Sequence, residues 1–94
     1  MNVQHDETRH AFTVDVDGEQ AELTYTRPSE GVIDLNHTFV PVAGRNKGVA
    51  AEMAKAALAY ARESSLKVIP TCPYIGSFLK KHHSEYGSLI ARAV

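Results

Sequence analysis

One Ala-rich amphipathic stretch, from about Lys47 to Ser64, sits between two apolar, β-branched runs, and this order leaves few folds open. Val49, Ala50, Met53, Ala54, Ala57, Leu58 and Ala61 recur at helical spacing, while Glu52, Lys55, Arg62 and Glu63 fall on the other side. Small residues on the apolar stripe let such a helix lie close against a sheet. Before it runs Val32 to Val40, read as a strand; after it runs Leu66-Lys67-Val68-Ile69-Pro70, read as a shorter one. The connection has the length of a β-α-β crossover, so the two strands are expected to be parallel, with a right-handed connection.

The first third of the chain alternates instead. Ala11-Phe12-Thr13-Val14-Asp15-Val16 and Gln20-Ala21-Glu22-Leu23-Thr24-Tyr25-Thr26 read as antiparallel strands joined through Asp17-Gly18, a strong two-residue turn. Arg27-Pro28-Ser29-Glu30-Gly31 supplies a second turn. In Val32–Val40 a period of two places Ile33, Leu35, His37 and Phe39 on one face and Asp34, Asn36 and Thr38 on the other. Pro41 has no N–H for a ladder and marks the end of regular pairing. Tyr74 to about Lys81 reads as a second, shorter helix, weakened by Gly76 and anchored by Phe78 and Leu79. Leu89-Ile90-Ala91 fits either a strand or a helical turn, and residues 1–8 read as a loose leader. The expected fold is α+β: one domain over residues 1–94, with antiparallel N-terminal strands leading into a mixed sheet, a parallel crossover and a short second helix.

Charge and composition narrow the functional classes. A net charge of −1 gives no basic footprint for nucleic acid. No apolar run approaches the ~20 residues that cross a bilayer, and the polar start Met1-Asn2-Val3-Gln4-His5-Asp6-Glu7 lacks the apolar core of a signal peptide. A single cysteine cannot form an internal disulfide. A cytoplasmic protein, monomeric or paired through an edge strand of the first hairpin, is the expectation. No His, Cys or Asp cluster has metal-site spacing, and adjacent His82 and His83 point to different helix faces.

Arg45-Asn46-Lys47-Gly48-Val49-Ala50 carries the chemistry. The first backbone N–H groups of a helix have no partner inside it, and the helix dipole adds partial positive charge there. Cations at that end are disfavoured by roughly 0.3–1 kcal/mol each, yet Arg45 and Lys47 stand beside it. Gly48, read as lying in the first turn, costs about 1 kcal/mol relative to Ala. A phosphate or pyrophosphate held at this turn accounts for all three choices: it pairs with the cations and needs backbone unobstructed by a Cβ.

Arg45-x-x-Gly48-x-Ala50 resembles the Q/R-x-x-G-x-G/A acetyl-CoA motif of the GNAT N-acetyltransferase superfamily. The longer pattern resembles its compact YjdJ-type subgroup: His37-Thr38, the loop, Ala61-Arg62-Glu63, Leu66 through Tyr74 with its Pro70-Thr71-Cys72-Pro73-Tyr74 segment, Phe78-Leu79-Lys80-Lys81-His82, and Glu85-Tyr86. The likeness spans almost the whole chain after residue 8. Asn46-Lys47 stands where the family more often has Gly-Gln or Gly-Glu, which makes this turn stiffer and more basic. The resemblance implies a sheet in which two parallel strands splay apart to hold the pantetheine arm of acetyl-CoA. The pyrophosphate would rest on the amides of Arg45, Asn46, Lys47, Gly48, Val49 and Ala50. The backbone of Phe39, Val40, Pro41 and Val42 would bond pantetheine and polarise the thioester carbonyl, where oxyanion charge develops. Larger relatives place helices between their early strands; this chain has only short turns there, so its acceptor side is open or completed by another chain.

Three side chains are candidates for catalysis. Cys72 reads either as a small buried residue or as a thiolate just before a helix start, where its pKa can fall below ~8.5; the resemblance implies a cysteine facing the thioester. His37 is either a histidine at the core's edge or a general base with an ordinary pKa of ~6.5. Tyr74 either packs its helix or protonates the departing thiolate of coenzyme A. Phe78 and Lys81 of the second helix are candidate cofactor contacts; the turns near Lys80, Lys81 and His82 read either as a solvated helix end, the plainer account, or as reaching the adenosine phosphates. Together these imply transfer of an acetyl group from acetyl-CoA to an amine acceptor, by direct attack or through a Cys72 thioester. Two other classes fit the same residues: an acyl-CoA-binding module with little catalysis, and an interaction domain with no cofactor.

Overall fold

A computed structural model describes residues 1–91. It contains the strands β1 (Gln4–Asp6), β2 (Ala11–Val16), β3 (Glu19–Ser29), β4 (Val32–Phe39) and β5 (Lys67–Ile69), with helices α1 (Val49–Glu63), α2 (Pro73–Lys81) and α3 (His83–Tyr86). The strands form one sheet in the order β1-β2-β3-β4-β5. All neighbours are antiparallel except β4 and β5, which are parallel and joined through α1. This is the expected mixed sheet with its crossover.

The layers follow from side-chain alternation. Val14, Ala21, Leu23, Tyr25, Ile33, Leu35 and Val68 point to one face and form a single core with Val49, Met53, Ala54, Ala57, Leu58 and Ala61 of α1 and Ile75, Phe78 and Leu79 of α2. Both helices therefore cover the same face. Ala54, Ala57 and Ala61 of the α1 stripe are fully buried, as close helix-on-sheet packing requires. On the other face Gln20 and Thr26 are exposed, and Glu22 and Thr24 are half-buried. Asp17 and Gly18 make the hairpin turn with positive φ at both positions (49° and 85°), the geometry that Asp-Gly favours.

Several expectations need correction. Inside the presumed loose leader, Gln4, His5 and Asp6 pair with Thr13, Phe12 and Ala11. The pairing is anchored by the His5 ring, which stacks on Phe12 at 4.1 Å and meets the edge of Tyr60 at 4.4 Å. The sheet's edge beside the first hairpin is thus the three-residue β1 and not the whole of β2. At the C-terminal end both readings of Leu89–Ala91 hold in part. A 3-10 turn covers Gly87–Leu89, and Ile90 then bridges to Val68 in parallel, with Ala91 N–H donating to Val68 O at 2.7 Å.

The strict alternation assigned to Val32–Val40 also fails. Tyr25 pairs with Leu35, but Thr24 pairs with His37, so β4 carries one extra residue at Asn36. This bulge reverses the faces beyond it. Thr38 now lies opposite the fully buried Leu23, on the core side, while His37 and Phe39 turn to the open face and are exposed. Period-two patterning cannot register a one-residue insertion of this kind.

Candidate functional site

The bulge lies where β4 and β5 part. Their last paired residues are Asp34 and Ile69, and β4 runs on to Phe39 while β5 ends. One more bond ties the chains at the crotch: Cys72 N–H donates to Leu35 O at 2.9 Å. Beyond it, the β5 side of the Asn36–Phe39 backbone has no strand beside it among the described residues.

After β4 the chain makes a 3-10 turn at Val42–Gly44 and enters α1. Gly44 is the close-approach residue: a Cβ there would meet Val16 at 3.1 Å and Val40 at 3.2 Å. Asn46 and Gly48 both adopt left-handed backbone, with φ of 63° and 78°. Gly48 proves to be the N-cap of α1, not a residue of its first turn. Its presence follows from that positive φ, which Gly accepts without strain, so the helix-propensity penalty inferred from sequence does not apply. No side chain caps α1, which leaves its leading N–H groups free for an incoming acceptor. A Cβ on Gly48 would meet nothing within 4 Å, so the approach to those groups is open.

Around this helix start lies a cleft of about 430 Å³ lined by Val40, Gly44, Arg45, Asn46, Gly48, Val49, Ala50, Ala51 and Tyr74. Arg45 donates from Nε to Val40 O at 3.2 Å, which holds its guanidinium at the rim while leaving the other nitrogens to a ligand. Lys47 is exposed beside it. A larger groove of about 670 Å³ lies along β1 and β2, but it shares no residue with the cleft and is lined by Asp6, Glu7 and Asp15 together with Arg9. Its acidic side chains make it a poor host for phosphate.

Seven of the residues singled out from sequence come together at the cleft: Val40, Arg45, Asn46, Gly48, Val49, Ala50 and Tyr74. Others lie elsewhere. Pro41 is buried, Val42 is 75% exposed, and Phe39 stands on the open sheet face. Phe78 belongs to the core, within ring contact of Tyr74, His82 and Tyr86. Lys81 is exposed at the end of α2. His37 is exposed on the face away from both helices.

Cys72 is the N-cap of α2 and is buried, 4% exposed. Its Sγ lies 3.2 Å from Thr38 Oγ1. Tyr74, two residues on, projects from the first turn of α2 into the cleft. Burial, and secondarily the charge of a Cys72 thiolate, pushes its phenol above the usual value of 10.0. The phenol thus stays protonated at neutral pH and is able to donate. Gly44 and Ala51 line the cleft although sequence reasoning missed them, and Thr38 meets Cys72 although alternation places it on the open face.

Among the described residues no group of His, Cys, Asp and Glu is placed to hold a metal ion, and no helix is long and apolar enough to cross a membrane.

Comparison with known proteins bears on the same region. A family model described as GCN5-related N-acetyl-transferase matches residues 11–89. Protein NATD1 of Bos taurus is 40% identical over 84 residues, covering 87% of this chain and 74% of that protein. Protein NATD1 of Danio rerio is 37% identical over 89 residues, covering 92% and 81%. The solution structure of a GCN5-like candidate N-acetyltransferase from Staphylococcus aureus superposes with a TM-score of 0.72 at 26% identity, covering 99% of this chain and 90% of that one.

Proposed function

We propose that this chain, which belongs to the GCN5-related N-acetyltransferase family, transfers the acetyl group of acetyl-CoA to an amine acceptor. The observation that carries the reading is the uncapped start of α1, opening on a cleft with Arg45 at its rim. The residues present suit the coenzyme. Free N–H groups and positive charge favour a diphosphate, Gly48 leaves the approach clear, and the β5-facing edge of β4 from Asn36 to Phe39 offers hydrogen bonds to an extended pantetheine arm. Phe39, Val40, Pro41 and Val42, with Arg45 through Ala50, remain the proposed coenzyme contacts. Lys81 and Phe78 contribute from α2 only as its outer end and its packing.

Acetyl-CoA supplies an activated acyl group. The chain's backbone near the bulge stabilises the oxyanion that develops as the carbonyl is attacked. In the covalent route the Cys72 thiolate bonds to the acetyl carbon, and the bond from that carbon to the coenzyme sulfur breaks. Tyr74 gives its proton to the departing sulfur and regains one from water. The amine then attacks the Cys72 thioester, loses a proton to water, and returns the thiolate; His37, on the other face of β4, is not placed to take that proton. Exchange between two thioesters is nearly balanced in energy. In the direct route the amine attacks without Cys72. The place of Cys72 at the start of α2, tied to β4 where the parallel strands part, supports the covalent route.

A second reading rests on the open sheet face. Both helices cover the opposite side, and no element walls the acceptor side among the described residues. An acyl-CoA-binding module with little turnover is compatible with that. Release of free coenzyme A, followed with and without a panel of primary amines, separates the two. Acceptor-dependent release supports the transferase; coenzyme binding without it supports the module. A cytoplasmic, monomeric or homodimeric protein remains part of the proposal.

A further inference from the structure

The pair formed by Thr38 and Cys72 has a geometry that the coenzyme-binding reading does not require. From it we infer that Thr38 is a positioning residue for the Cys72 sulfur, its hydroxyl donating to the thiolate and holding it toward the gap between β4 and β5. The inference rests on the reading that Cys72 carries the acetyl group. Without the extra residue at Asn36, Thr38 would point to the open face, as simple alternation places it. With it, Thr38 faces the core opposite Leu23, and its Oγ1 comes to 3.2 Å from Sγ. The backbone of Cys72 is tied to the same strand three residues earlier, through its N–H bond to Leu35 O, and is set by its place at the start of α2. The sulfur therefore has one hydroxyl partner and a backbone that does not move with it.

Thr38 is not a base. It has no proton deficit to offer and cannot take the thiol proton. What it supplies is a hydrogen bond that is stronger to the anion than to the neutral thiol, and so favours the thiolate. His37, the neighbour in sequence, lies on the opposite face of β4. Tyr74 is the titratable group whose phenol responds to the Cys72 charge. A merely structural Thr38 would pack equally well as the isosteric Val.

The chain's only cysteine allows a clean test. Cys72 is labelled with 13C at Cβ, and its chemical shift is followed against pH without coenzyme in wild type, Thr38→Val, Thr38→Ser and, should the Val variant fail to fold, Thr38→Ala. Loss of the hydroxyl should move the thiol's titration midpoint upward, leaving a smaller thiolate fraction at a given pH below it; Thr38→Ser should restore it. In acetyl transfer the hydroxyl-free variant should lower kcat with KM for acetyl-CoA unchanged. An unmoved midpoint in the hydroxyl-free variant overturns the inference. Because the midpoint is read without substrate, that failure is distinct from failure of the covalent route, which Cys72→Ala tests.

Discussion

Cys72 donates its backbone N–H to Leu35 O at 2.9 Å, one residue before the bulge at Asn36. That bond joins the start of α2 to β4 at the point where the parallel strands cease to pair. It fixes Cys72 and the β5-facing edge of β4 in one frame.

Cys72→Ala should abolish acceptor-dependent release of coenzyme A if the acetyl group passes through sulfur. Wild type incubated with acetyl-CoA alone should gain the mass of one acetyl group on Cys72. An unchanged turnover in the variant supports direct attack by the amine.

Gly48→Ala should destabilise the fold by about 1–2 kcal/mol, the cost of placing a Cβ residue in left-handed backbone. The penalty is conformational, since the added methyl meets nothing. Gly44→Ala should cost a similar ~1–3 kcal/mol for the opposite reason, because its Cβ overpacks against Val16 and Val40. Urea denaturation reads both, and a neutral Gly48→Ala would mean that the turn relaxes to negative φ.

These two glycines also show what was legible from sequence. The Ala-rich stripe gave α1 within two residues at its start, because its apolar period is long and uninterrupted. The crossover and the hairpin followed from length and from Asp17-Gly18. The cap role of Gly48 was hidden because a helix start is not fixed by composition to within a residue. The bulge left no mark at all: Asn36, His37 and Thr38 continue the polar and apolar pattern, and only the partner strand reveals the inserted residue. β1 was invisible because its anchoring is tertiary, through rings contributed by Phe12, Tyr25 and Tyr60.

The pH dependence of stability should show His5 on the acid side. Burial lowers its folded pKa below 6.5, chiefly by desolvating the imidazolium. The unfolded chain then binds more protons, so this contribution is complete above about pH 6.5 and is lost as the pH falls through the folded value. His5→Phe, which keeps the stacking on Phe12, should flatten the fall in Tm between neutral and mildly acid pH. An identical slope in both proteins would contradict it.

Tyr25 should act on the alkaline side. Its Oη lies 2.6 Å from His5 Nε2, and burial raises its phenol to about 12. Here the folded state holds the proton longer, so stability is complete below about pH 10 and falls as the pH rises towards 12. Tyr25→Phe should remove that fall, measured by chemical denaturation at stepped pH. Persistence of the fall in the variant would assign it to other groups.

Titration of 15N-labelled protein with coenzyme A, followed by amide NMR, tests the central claim most directly. The account predicts saturable shifts at Arg45 through Ala51 at the start of α1 and at Asn36 through Val40 where β4 leaves β5, weakened in Arg45→Ala. Unmoved resonances in both segments at millimolar coenzyme, or shifts confined to the groove beside β1, would contradict it.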